Sequence, residues 1–181
     1  MSMLKPNYTI THEILNNLMR TAEAKALIDN AYLIPKWEVA LRRDALIINA
    51  HASTAIEGNP LSIEQVSELA KGRDIMTTRK AKAEVLNYLN ALEDLPNISE
   101  SGKITENVIL KIHRILTKDV LDNPADIGVY RNRQVVIGNG ITRVTIFRPP
   151  DVKKVPVLMR DFVKWLNSKD ATEANPVLVA G

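Results

Sequence analysis

Apolar residues recur at three- and four-residue spacing along most of the chain, the mark of helices that bury one face. Ile14, Leu15, Leu18, Ala22, Ala26 and Leu27 define a first such stretch, capped by Thr9 or Thr11 and running to about Asn30, after a loose arm from Met1 to Asn7. A second opens at Pro35, where a missing backbone donor costs nothing in a first helical turn. It carries Trp37, Ala40, Leu41, Ala45, Leu46, Ile47, Ile48, Ala50, Ala52, Ala55 and Ile56, enough to be buried on much of its circumference. Gly58 supplies a left-handed stop, and Asn59-Pro60 prevents continuation. Ser62-Ile63-Glu64-Gln65 forms a capping box and starts a short helix ending at Gly72. A longer helix is predicted from about Met76 to Leu95, with Ala83, Val85, Leu86, Leu89, Ala91 and Leu92 as its inward set. A turn-rich loop covers Pro96 to Lys103, and Thr105 then caps a helix through Leu121 that Asp122-Asn123-Pro124 breaks.

The period changes once. Gln134-Val135-Val136-Ile137 and Val144-Thr145-Ile146-Phe147 are apolar, β-branched runs flanking Gly138-Asn139-Gly140, which reads as a hairpin and is the one strand signal. Arg148-Pro149-Pro150 leaves the hairpin, and a helix from about Lys153 to Asn167 carries Val157, Leu158, Phe162, Trp165 and Leu166. Asn175 caps and Pro176 opens a last helix. The expected fold class is all-α, a helical bundle with one β-hairpin. Residues 1–32 form an N-terminal arm and helix, and residues 33–181 a single structural unit.

Composition narrows the function classes. The 181 residues suit one domain, and with 4% aromatics and only 7 glycines they favour aliphatic helix packing over a sandwich or barrel. There is no cysteine, so neither disulfides nor thiolate metal sites arise, and His12, His51 and His113 show no ligand spacing. Asp119, Asp122 and Asp126 fit no calcium pattern, so no metal site is expected. No apolar run approaches the ~20 residues of a membrane span, and the N-terminus lacks a signal peptide's regions. A soluble, cytoplasmic protein is expected. The net charge of +3 is small and its basic residues are scattered, which gives no ground for nucleic-acid binding.

Candidate chemistry sits at the end of the second helix. Ser53 and Glu57 are four apart and share a face, about 6 Å along the axis. Glu57 meets the negative end of the helix dipole, and its helical neighbours Leu46, Ala50, Ser53 and Thr54 offer no cation. The carboxylate is therefore either solvated or paired with a cation from elsewhere in the fold.

Ser53-Thr54-Ala55-Ile56-Glu57-Gly58, followed by Asn59-Pro60-Leu61-Ser62, resembles the [ST]-x-x-x-E-[GN] motif of the Fic (filamentation induced by cyclic AMP) family. Most such proteins transfer AMP from ATP to a hydroxyl side chain of another protein. The resemblance implies an inhibitory helix with Ser53, Glu57 and Gly58 as regulatory residues, the Glu pairing with an Arg that would otherwise hold the ATP γ-phosphate. It also implies ATP and Mg²⁺ as cofactors of the intact enzyme. Gly128-Val129-Tyr130-Arg131, Val135-Val136-Ile137 and Arg148-Pro149-Pro150 resemble the family's flap, with Val135, Val136 and Ile137 docking a target protein by strand addition. The bland reading of this hairpin is a structural cover for the helices.

The resemblance runs from about Leu33 to Gly181 and excludes the catalytic signature H-P-F-x-x-G-N-G-R. Gly138-Asn139-Gly140 has no His-Pro-Phe before it and strand-like runs on both sides, so it reads as a turn rather than as that phosphate-binding nest. His113 lacks a partner at recognisable spacing and reads as a structural histidine. No catalytic residue is therefore assigned, and the fold is expected to be C-terminally incomplete. The chain alone is expected to be inactive and to hold no cofactor. The faces of Ile47, Ile48 and Ile56 then lack cover, which predicts self-association or a missing C-terminal segment. Two other readings compete. One is a catalytically inactive helical interaction module. The other is a helix-turn-helix spanning residues 62–82, with Arg79, Lys80 and Lys82 facing DNA.

Overall fold

The structure, a computed structural model, describes residues 6–32, 34–98, 102–138 and 145–180. Its helices are α1 (His12–Asp29), α2 (Pro35–Ile56), α3 (Ile63–Ala70), α4 (Arg79–Ile98), α5 (Glu106–Thr117), α6 (Val155–Leu166), α7 (Lys169–Glu173) and α8 (Pro176–Ala180). Strands β1 (Ile137–Gly138) and β2 (Thr145–Phe147) pair antiparallel between α5 and α6. The architecture is the expected all-α one with a small hairpin.

Local chemistry sets most helix starts. The Thr11 hydroxyl accepts from the Ile14 amide at 3.2 Å, and Pro35 occupies the first turn of α2. The capping box forms with both halves: Gln65 N–H donates to Ser62 Oγ at 3.4 Å and Ser62 N–H donates to Gln65 Oε1 at 2.9 Å. Thr105 caps α5 through Val108 N–H at 3.2 Å. The core lies where α2, α3 and α4 meet, built from Ile47, Ala50, Leu61, Val66, Leu69, Ala81, Val85 and Leu89. The α4–α5 contact extends it, and α6 joins through α5. Asn167 ties α6 to the start of α5, accepting from Ile104 N–H at 3.2 Å and donating to Ile104 O at 2.6 Å.

Several expectations need correction. Helix α1 buries nothing; only Ile14 and Leu18 of its apolar set are half-covered, so its periodicity marks a helix but not a core element. Helix α4 starts at Arg79, where the Thr78 hydroxyl accepts from Ala81 N–H at 3.1 Å, and runs through Pro96 to Ile98. Pro96 removes one backbone donor, and burial of Ile98 offsets that loss. Helix α5 stops at Thr117 rather than Leu121, because the buried Asn87 side chain donates to Leu116 O at 3.1 Å and Lys118 O at 2.6 Å. The chain then turns at Asp119, whose φ is 60°. Helix α7 was not anticipated, although Ser168 caps it. On α2, Ile47 belongs to the core, whereas Ile48 and Ile56 are 56% and 84% exposed.

Candidate functional site: the end of α2 and the hairpin

The last turn of α2 closes as a Schellman motif. Gly58 N–H donates to Ala55 O at 3.0 Å and Asn59 N–H donates to Thr54 O at 3.0 Å, with Gly58 at φ +88°. That conformation is strained for any residue with a Cβ, which is why glycine follows the glutamate. Glu57 is the C-cap, and its carboxylate is exposed with no hydrogen bond or ion pair among the described residues. Ser53 does not bond to it.

Two anchors hold this turn against α4. On one side, Ser53 Oγ donates to the Tyr88 phenol oxygen at 2.8 Å, and Tyr88 O–H donates to Asn49 Oδ1 at 2.9 Å. On the other, the buried Asn59 side chain donates to Ala81 O at 2.9 Å and Glu84 Oε2 at 2.7 Å and accepts from Leu61 N–H at 3.1 Å. Thr54, also buried, returns its hydroxyl to Ala50 O at 2.8 Å. Glu57 thus projects from a terminus fixed four residues before it and two residues after it. An open groove of about 550 Å³ between α2, α3 and α4, lined in part by Val39, Arg43, Ile47, Leu69, Leu86 and Glu93, lies nearer the start of α2 and does not include Glu57.

The hairpin pairs Ile137 with Phe147 and Gly138 with Thr145, with a register irregularity between them. Its approach is fastened to the helices. Tyr130 O–H donates to Glu106 Oε2 at 2.9 Å; desolvation first, and this bond second, push the phenol up to about 12. Gly128 N–H donates to His113 Nδ1 at 2.9 Å. Arg133 pairs with Asp126, and its guanidinium holds that carboxyl below the usual aspartate range. Gln134 closes the base of the hairpin, donating to Pro149 O at 3.1 Å and accepting from Val152 N–H at 3.1 Å.

The chain is similar to known proteins along nearly its whole length. Over 93% of this chain and 36% of the relative, it is 32% identical to a protein named protein adenylyltransferase Fic from Aedes aegypti. A protein of the same name from Drosophila persimilis is 29% identical over 91% of this chain and 34% of its own length. A crystal structure of a Fic family protein from Desulfovibrio desulfuricans superposes with a TM-score of 0.72, at 28% identity, over 97% of this chain and 50% of that one. No family model matches the chain. The chain is thus similar in sequence and fold to Fic family proteins over nearly its whole length. It spans about a third of the length of the curated relatives it matches.

Within that Fic frame, Ser53, Glu57 and Gly58 fall together on one helix end, but Ser53 faces α4 while Glu57 faces solvent. Of the three residues expected on the docking strand, only Ile137 lies in β1; Val135 and Val136 precede it in exposed, irregular chain. β1 begins only at Ile137, and ahead of it the Gln134 side chain, rather than strand pairing, bonds the backbone at the base. Asn139, Gly140 and Val144, on which the turn reading of Gly-Asn-Gly depends, lie outside the described residues. His113 sits where a structural histidine belongs, latching the turn that leads into the hairpin. Arg79 and Lys82 pair with Asp119 and Asp74, so the basic start of α4 is engaged by carboxylates of this chain. Among the described residues, no group of three or more His, Asp or Glu side chains is placed to hold a metal, and no helix is long and apolar enough to cross a membrane.

Sequence reasoning missed Tyr88, Asn49 and Asn59. Asn59 carried a signal, the Gly-Asn-Pro stop, but was read only as a terminator. Nothing in a helical repeat marks Tyr88 as the partner of a serine 35 positions away.

Proposed function

We propose that this chain forms the regulatory and target-docking part of a Fic-type protein adenylyltransferase, which transfers AMP from ATP to a protein hydroxyl. The observation that carries the reading is the doubly anchored end of α2, which presents Glu57 as an exposed carboxylate, unpaired among the described residues, within a Ser53-to-Gly58 motif. An acidic group held rigidly at the negative end of a helix is electrostatically unsatisfied, and a guanidinium supplied from outside these residues would relieve it. Engaging that arginine withholds it from the nucleotide's γ-phosphate, which keeps the intact enzyme quiet. The hairpin serves as the docking edge, exposing Val135, Val136, Ile137, Ile146 and Phe147.

ATP and Mg²⁺ are cofactors of the intact enzyme in this reading. The described residues offer no metal-holding cluster, so no chemical step is assigned to them. The test is Glu57→Gly in the intact enzyme incubated with labelled ATP. Self-modification rises if Glu57 is inhibitory, and an unchanged signal refutes the reading. The competing reading, an inactive interaction module, draws on the same exposed hairpin residues and predicts partner binding with no label transfer in either form.

A further inference from the structure

The geometry points to Tyr88 as a positioning residue for the regulatory end of α2, acting through Ser53 and Asn49. The inference rests on reading Glu57 as a regulatory carboxylate and adds what aims it. A helix terminus frays by default, since its last carbonyls lack intrahelical partners. A frayed turn would let the Glu57 carboxylate sweep through space rather than hold one position. Asn59 fixes the chain beyond the cap, but it cannot fix the rotation of the turn before it. That task falls to the relay Ser53 Oγ–H to Tyr88 O–H to Asn49 Oδ1, with bonds of 2.8 and 2.9 Å. Ser53 and Asn49 share one face of α2 and also approach each other at 3.3 Å. The Tyr88 hydroxyl is the group that ties this pair to another helix. The Tyr88 hydroxyl accepts from Ser53 and donates to Asn49, so removing the phenol oxygen breaks both links to α4 and leaves Ser53 and Asn49 bonded within α2 alone. The ring of Tyr88 packs on the core, so Tyr88→Phe keeps that packing and deletes only the link.

The test uses amide hydrogen exchange on the 181-residue chain and its variants. In Tyr88→Phe, the amides of Glu57, Gly58 and Asn59 exchange about three- to ten-fold faster, the size set by loss of a hydrogen bond. Amides of α3 and of the middle of α4 keep their rates, which a general loss of stability would not spare. Ser53→Ala gives the same local acceleration, adds nothing on top of Tyr88→Phe, and Ser53→Thr restores the original rates. The absence of cysteine allows a second readout: a nitroxide on Glu57→Cys becomes more mobile when Tyr88→Phe is added, while one on Lys80→Cys does not. Unchanged exchange at residues 57–59, or uniform acceleration across α2, α3 and α4, overturns the inference. That failure is separate from failure of the functional reading, which shows only in label transfer by Glu57→Gly.

Discussion

Asn59→Ala probes the second anchor of the α2 terminus, and the structure sets the size of its effect. The substitution deletes three hydrogen bonds, to Ala81 O, Glu84 Oε2 and Leu61 N–H. Ala81 O keeps its place in the helical ladder of α4, so its loss is small. Leu61, in contrast, is only 5% exposed, and its amide is left without the acceptor that served it. Glu84 loses a donor in a half-buried position. At about 1 kcal/mol for each bond and somewhat more for the stranded amide, the expected loss is about 2–4 kcal/mol. For a domain of this size that lowers Tm by roughly 5–15 °C. Urea denaturation followed by far-UV circular dichroism measures it, with the slope m unchanged if only stability has moved. Asn59→Asp separates the terms: it retains the acceptor for Leu61 N–H but faces Glu84 with a second carboxylate, so it stays close to the alanine variant. A loss below about 0.5 kcal/mol for Asn59→Ala, within the range of ordinary surface substitutions, would refute the anchoring argument.

Gly128→Ala unlatches the hairpin's approach. Gly128 has φ +68°, and an added Cβ would lie 2.8 Å from Arg114 Cβ and 3.2 Å from Leu110 O. A left-handed alanine costs about 1–2 kcal/mol before the clash, so the variant destabilises by at least that much, and a neutral Tm would be incompatible with the geometry. The Arg133–Asp126 pair predicts acid sensitivity. Because the folded carboxyl is held below its ordinary value of 3.8, its contribution is fully present above that pH and is lost as pH falls below it. Asp126→Asn therefore makes Tm fall less steeply from pH 5 downward than in the unaltered chain, and parallel curves would show that the pair contributes nothing.

Elements whose ends are settled within a few residues were readable from the sequence. Thr11, Pro35, Gly58, Ser62 with Gln65, and Thr105 act on neighbouring backbone groups, and each stands where its local chemistry places it. The all-α class was legible from the helical periodicity. Burial was less readable. Helix α1 has the periodicity of a packed helix and packs on almost nothing, because a pattern states which face could be buried and not whether anything meets it.

What the tertiary structure decided are the bonds between distant residues: Ser53 with Tyr88, Asn59 with Ala81 and Glu84, Asn87 with the end of α5, and Gly128 with His113. Each depends on the distance and angle at which two helices or a helix and a turn dock, to within a fraction of an ångström. Those quantities come from how the whole set of core side chains interdigitates, which no local window contains. The sequence by itself determined where α2 ends and that a carboxylate stands there; docking on α4 decided which residues bond to that end.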